Sequence, residues 1–147
     1  MARRFKNRGR HSADYRHFVV QKLLIEKHFP IFTCCLKKGV LRCEGLIQPS
    51  DGCDTYGVQI EYKRDSVPSV RVLSPFIKPT TKIHMFRDGS LCLYYPPEDP
   101  WRRGDNLHEK IVPWTAEWLV YYELFLIHGK WLGPEAPHED EEKVPQN

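Results

Sequence analysis

The sequence predicts an α+β domain in which helices pack on one antiparallel sheet. Three observations predict it: an apolar-periodic run near the start that stops at a proline, a series of short strand-like runs joined by tight turns, and an aromatic-rich periodic run that ends at a glycine. Parallel strands would need long crossovers, and the connections here are short, so the strands are expected to form an antiparallel meander.

Each element has its own signal. Ser12 is a plausible N-cap for a first helix. Tyr15, Val19 and Leu23 then recur at helical spacing, Phe18 and Ile25 widen the stripe, and Pro30 stops the helix near Phe29. Residues 31–36 form an apolar run that ends at the turn Lys37-Lys38-Gly39. Residues 40–47 follow, closed by Pro49-Ser50-Asp51-Gly52. Tyr56, Val58, Ile60 and Tyr62 alternate with Gly57, Gln59, Glu61 and Lys63, the pattern of a strand buried on one face. A turn at 64–66 leads to the last strand, 70–73. Residues 74–100 hold five prolines and few helix signals, a long irregular segment of the kind that often carries function. The final helix is expected from Pro113, with Trp114, Trp118, Tyr121 and Phe125 on one face and Gly129 at its end.

The bulk composition excludes several classes. The 147 residues suit one domain with one core, and 41% hydrophobic with 28% charged residues is ordinary for a soluble chain. No apolar run approaches the roughly 20 residues of a membrane span. The start is basic but lacks the apolar stretch of a secretory signal, so a cytoplasmic protein without membrane contact is expected. Arg3, Arg4, Lys6, Arg8 and Arg10 crowd the start, and Glu139, Asp140, Glu141 and Glu142 crowd the end. These read as a flexible basic arm, 1–11, and a flexible acidic tail, 139–147, around a domain at 12–138. Nucleic-acid binding through the arm is disfavoured, because the basic residues sit in a tail.

The five cysteines, Cys34, Cys35, Cys43, Cys53 and Cys92, form neither a Cys-x-x-Cys pair nor a zinc-spaced Cys/His cluster. Neither metal nor cofactor is expected, and an odd set in a cytosolic chain implies reduced thiols. Cys92 stands apart. It lies in the irregular segment just after the turn residues Asp88-Gly89, where a nucleophile is reachable. On these residues alone, a thiol buried between Leu91 and Leu93 is the competing reading.

The segment resembles the active-site segment of ubiquitin-conjugating E2 enzymes. His84 opens it, Gly89-Ser90-Leu91-Cys92 carries the cysteine step, and Trp101 follows. Upstream, Val67-Pro68-Ser69-Val70 resembles the proline-marked entry to the fourth strand. A closer similarity is to the E2-like proteins of type II CBASS antiphage operons, on His84, Asp88-Gly89, Leu91-Cys92-Leu93-Tyr94, Pro96, Trp101, Pro113-Trp114, Glu117-Trp118-Leu119, Tyr122-Glu123, Gly129, Trp131, Gly133, Glu135 and His138. The resemblance implies a UBC-like (E2) fold with an N-terminal helix, four-stranded antiparallel meander, active-site loop and C-terminal helix. The last two helices of eukaryotic E2 enzymes are expected to be missing, since residues 131–147 are short and hold three prolines.

It also implies a chemistry. A partner's C-terminal carboxyl is held as a thioester on Cys92 and passed to an amine. The operon's cGAS-like nucleotidyltransferase is the implied partner, with any E1-like activator supplied in trans, because the chain has no Gly-rich phosphate loop. His84 is assigned a supporting, loop-holding role. Tyr94 and Asp88 are further candidates, as oxyanion donor and as orienter of the amine. Asp99, Asp105 and Asn106 follow the cysteine, where E2 enzymes often keep an acid, and Trp101 is read as a packing anchor. The sequence departs from the eukaryotic pattern at His84-Met85-Phe86: the asparagine of His-Pro-Asn has no counterpart, and the span to the cysteine is two residues shorter. Backbone N–H groups around 91–93 are alternative oxyanion donors. Two other readings stay open: a non-catalytic binding module on the same fold, and the E2 of a bacterial ubiquitin-like operon.

Overall fold

A computed structural model describes residues 2–93 and 99–134, with the backbone alone for 2–12. The order is α1 (Ala2–His28), β1 (Thr33–Lys37), β2 (Val40–Ile47), β3 (Tyr56–Lys63), β4 (Ser69–Ser74), a short 3₁₀ turn (Thr81–Ile83) and α2 (Ile111–His128). The strands pair antiparallel in the order β1-β2-β3-β4. This is an α+β fold, compatible with the UBC-like class. Among the described residues, no helix is long and apolar enough to cross a membrane.

Two expectations for α1 need correcting. The helix begins at Ala2, so Ser12 is an interior position rather than a cap, and the backbone of the expected arm continues the helix. Arg and Lys are good helix formers, and a basic run therefore does not mark a helix boundary. The buried stripe is also rotated. Tyr15 and Leu23 are 63% and 59% exposed, whereas Asp14, Phe18, Gln21 and Ile25 face inward. Apolar periodicity could not find this face, because two of its four members are polar.

The sheet follows its alternation. Tyr56, Val58, Ile60 and Tyr62 all point into the core, with Leu41, Cys43 and Val70 beside them. The other face is a charged ladder: Arg42 pairs with Glu61 at 3.0 Å, and Gln59 donates to Glu44 at 2.8 Å, each across directly opposed positions. Cys34 and Cys43 occupy opposed positions on β1 and β2 and pair as a disulfide, whereas five reduced thiols were expected. Strand register juxtaposes them, and sequence spacing does not reveal register.

Two sets of contacts fix the helices. Phe18 of α1 meets Tyr62 edge-on, with centroids 5.1 Å apart. Tyr56 of β3 donates its hydroxyl to Glu123 of α2 and stands edge-on to Tyr122. Gln21 ties α1 to the approach to α2. It donates to Asn106 Oδ1 and accepts from the Leu107 amide, both at 2.8 Å. Gly129 ends α2 in the left-handed region (φ 74°), as expected for a C-terminal glycine.

Candidate active site

The segment after β4 builds a small hairpin onto the sheet. Thr80 caps the 3₁₀ turn by accepting from Lys82 N–H, and His84 leaves the turn in the left-handed region (φ 54°). Met85 then bridges Leu91, and Phe86 N–H donates to Ser90 O at 2.9 Å. Gly89 (φ 86°) turns the chain, at a conformation other residues rarely adopt. The return arm docks on the edge of β4: Ser90 bridges Arg71, and Leu91 N–H donates to Val70 O at 2.8 Å.

Asp88 organises this turn. Its Oδ1 accepts from the Ser90 amide and hydroxyl at 2.9 and 2.6 Å, and its Oδ2 accepts from Arg71 at 3.1 Å. The two Ser90 bonds, with Arg71 assisting, hold its carboxyl below the usual carboxylate range. The side chain is thereby directed to β4 and does not line the space around Cys92.

Cys92 follows at the end of the hairpin, half-buried. Its N–H donates to His84 O at 2.9 Å, and the indole Nε1–H of Trp118 donates to the same oxygen at 3.2 Å. His84 therefore holds the loop through its backbone carbonyl. Its buried ring packs against Trp131, centroids 5.1 Å apart. The amides of Leu91 and Cys92 are both committed, to Val70 and His84, so neither remains to receive an oxyanion.

Cys92 lines a small cleft of about 20 Å³ together with Trp114, Glu117, Trp118, Tyr121, Trp131 and Pro134. The α2 spacing explains half of this wall: 114, 118 and 121 repeat along one helical face, the stripe expected from sequence. Glu117 was missed as a site residue; its position between Trp114 and Trp118 on that stripe was the available signal. Among the described residues it is the one charged residue in the lining. Burial alone acts on Cys92, pushing its thiol above the ordinary value.

The polar residues after the cysteine serve the scaffold. Lys110 pairs with Asp99 and, at 3.0 Å, with Asp105. Asp105 also accepts from Arg102 N–H at 2.6 Å, and Asn106 is held by Gln21. Trp101 stands edge-on to Tyr62, centroids 5.6 Å apart, and packs against the core. Asp99, Trp101, Asp105 and Asn106 do not line the cleft. Tyr94, Pro96, Glu135 and His138 lie outside the described residues.

A half-buried cysteine on a hairpin, held by the His84 turn and faced by the aromatic side of α2, forms the candidate site. A family model described as Type II CBASS E2 protein matches residues 21–139. The chain belongs to this family. The CBASS E2 match covers the site hairpin, the whole of α2 and the return segment that carries Trp131. None of the curated proteins compared with the chain matches it.

Proposed function

We propose that this CBASS E2 protein has the UBC-like fold and is a transferase that carries a partner protein's C-terminus as a thioester on Cys92. The observation that carries the reading is the placement of Cys92: the one cysteine in the family-matched hairpin opens on a cleft, while Cys34 and Cys43 are paired in the sheet. In the first step the Cys92 thiolate attacks the activated carboxyl carbon, a C–S bond forms, and the activator's leaving group departs with the pair of electrons it shared. In the second step an amine attacks the thioester, loses a proton, and Cys92 leaves as the thiol. The family match favours the CBASS setting over a ubiquitin-like operon, with the cGAS-like nucleotidyltransferase as the acyl donor and an E1-like activator in trans.

The raised pKa of Cys92 keeps most of the thiol protonated at neutral pH, so attack in the first step requires that proton to leave. Glu117, the acid of the cleft, is assigned to the incoming amine, whose ammonium it attracts and orients. His84 keeps a supporting role through its carbonyl. Asp88 acts by fixing the turn, and Tyr94 is retained as a candidate oxyanion donor.

The test is co-expression of wild type, Cys92→Ala and Cys92→Ser with the neighbouring operon proteins, followed by gels with and without reductant. A reductant-sensitive adduct in wild type, absent in Cys92→Ala and changed to a reductant-resistant ester in Cys92→Ser, is expected. Phage protection by Cys92→Ala equal to wild type would establish the binding-module reading instead.

A further inference from the structure

The segment after α2 returns onto the thiol cleft, and no role has been assigned to it. Gly129 reverses the chain, and Trp131 then packs against three rings: His84 at 5.1 Å, Trp118 at 5.6 Å and Tyr121 at 5.8 Å between centroids. Its own Nε1–H is turned back to Pro134 O at 3.4 Å. Gly133 fits because it has no side chain: a Cβ there would stand 2.6 Å from Tyr121 Cγ and 3.0 Å from Trp131 Nε1. The segment is thus seated closely, and Trp131 and Pro134 form the wall of the cleft opposite α2.

Two of the three rings lead directly to the nucleophile. His84 supplies the carbonyl that accepts the Cys92 amide, and Trp118 supplies the second donor to that carbonyl. Trp131 lies against both. We propose that Trp131 is a positioning residue for Cys92: the 131–134 segment clamps the His84 turn and closes one side of the cleft, setting where the thiol points and how it is solvated. The proposal assigns a role within the carrier reading, and its physical content, control of the thiol by the return segment, is measurable without any operon partner.

The geometry predicts a split between two readouts. Removing the ring opens the cleft and loosens the turn. Simple alkylation of Cys92 then becomes easier as water reaches the thiol, while reaction with a bulky, oriented acyl donor becomes harder. Among the described residues, the titratable groups around the thiol are Glu117 and Tyr121 on α2 and His84 at the end of the 3₁₀ turn, and none is changed by substituting Trp131.

The experiment uses the full chain and follows the Cys92 peptide by mass spectrometry. Iodoacetamide measures the rate–pH profile, and a short peptide thioester of mercaptoethanesulfonate serves as acyl donor, its thiol released as Cys92 is acylated. In Trp131→Ala the alkylation midpoint should fall towards that of a free thiol, with the near-neutral rate up about threefold. Thioester exchange should fall about tenfold. Trp131→Phe should restore most of both, and Gly133→Ala, which displaces the segment while keeping the indole, should behave like Trp131→Ala. Leu132→Ala, an exposed neighbour, should match wild type. If Trp131→Ala does not fold, Gly133→Ala and Trp131→Phe carry the comparison. A lowered melting temperature with an unmoved alkylation profile and unchanged exchange in the folded variants would reduce Trp131 to packing and overturn the proposal. Absence of a Cys92 adduct with the operon partners refutes the carrier reading instead, and leaves this comparison standing.

Discussion

Gln21 is the side chain whose loss has the most calculable consequence. It is 1% exposed, and its amide satisfies two groups on the approach to α2. Replacing it with Met keeps the volume and removes both hydrogen bonds. The Leu107 amide lies in a fully buried residue and has no water to turn to, so its orphaning costs about 1–3 kcal/mol. Asn106 is only half-buried and can be rehydrated, which limits its loss to about 0.5–1.5 kcal/mol. The sum, about 1.5–4.5 kcal/mol, corresponds to a melting-temperature drop of roughly 3–18 °C for a domain of this size. Circular dichroism melts of wild type, Gln21→Met and Asn106→Ala measure it. Asn106→Ala should cost about a third as much, since it leaves the Leu107 bond intact. A Gln21→Met loss below about 1 kcal/mol would refute the reasoning, because it would mean that the Leu107 amide finds another partner.

Three further outcomes are expected. Gly45→Ala places a Cβ 2.8 Å from Phe32 Cγ and should destabilise the sheet by about 1–3 kcal/mol in denaturant titrations. Asp88 has a lowered pKa, so its contribution to stability is present above about pH 4 and is lost as pH falls through the folded value. Asp88→Asn should therefore flatten the acid limb of a stability–pH curve, and an unchanged limb would contradict the assignment. Cys92 has a raised pKa, so its alkylation rate should still be climbing where a free cysteine peptide has reached its plateau; coincident profiles would show the thiol to be unburied.

Much of the fold was legible because its signals are local. The alternation from Tyr56 to Tyr62 and the turn residues between strands identify β2 and β3 to the residue, and the aromatic stripe on α2 marks the face that meets Cys92. What escaped is non-local. The inward face of α1 depends on Asp14 and Gln21, polar residues buried only because partners reach them from Arg64, Arg103 and Leu107. The disulfide depends on register. At the site, the place of Cys92 just after the Asp88-Gly89 turn could be read from the sequence. That His84 acts through its carbonyl, that Asp88 is turned towards Arg71, and that Glu117 and Trp131 wall the cleft all require the hairpin to be folded against β4 and α2.

The docking of the hairpin on β4 has a kinetic meaning. Leu91 and Cys92 are held by main-chain bonds to Val70 and His84, so the Cys92 thiol is mounted on the rim of the sheet. Under the proposed carrier role, the search that brings carbon to sulfur would fall on the visiting chain end, and the entropy of ordering that end, more than any rearrangement of the protein, would set how often an encounter becomes a transfer.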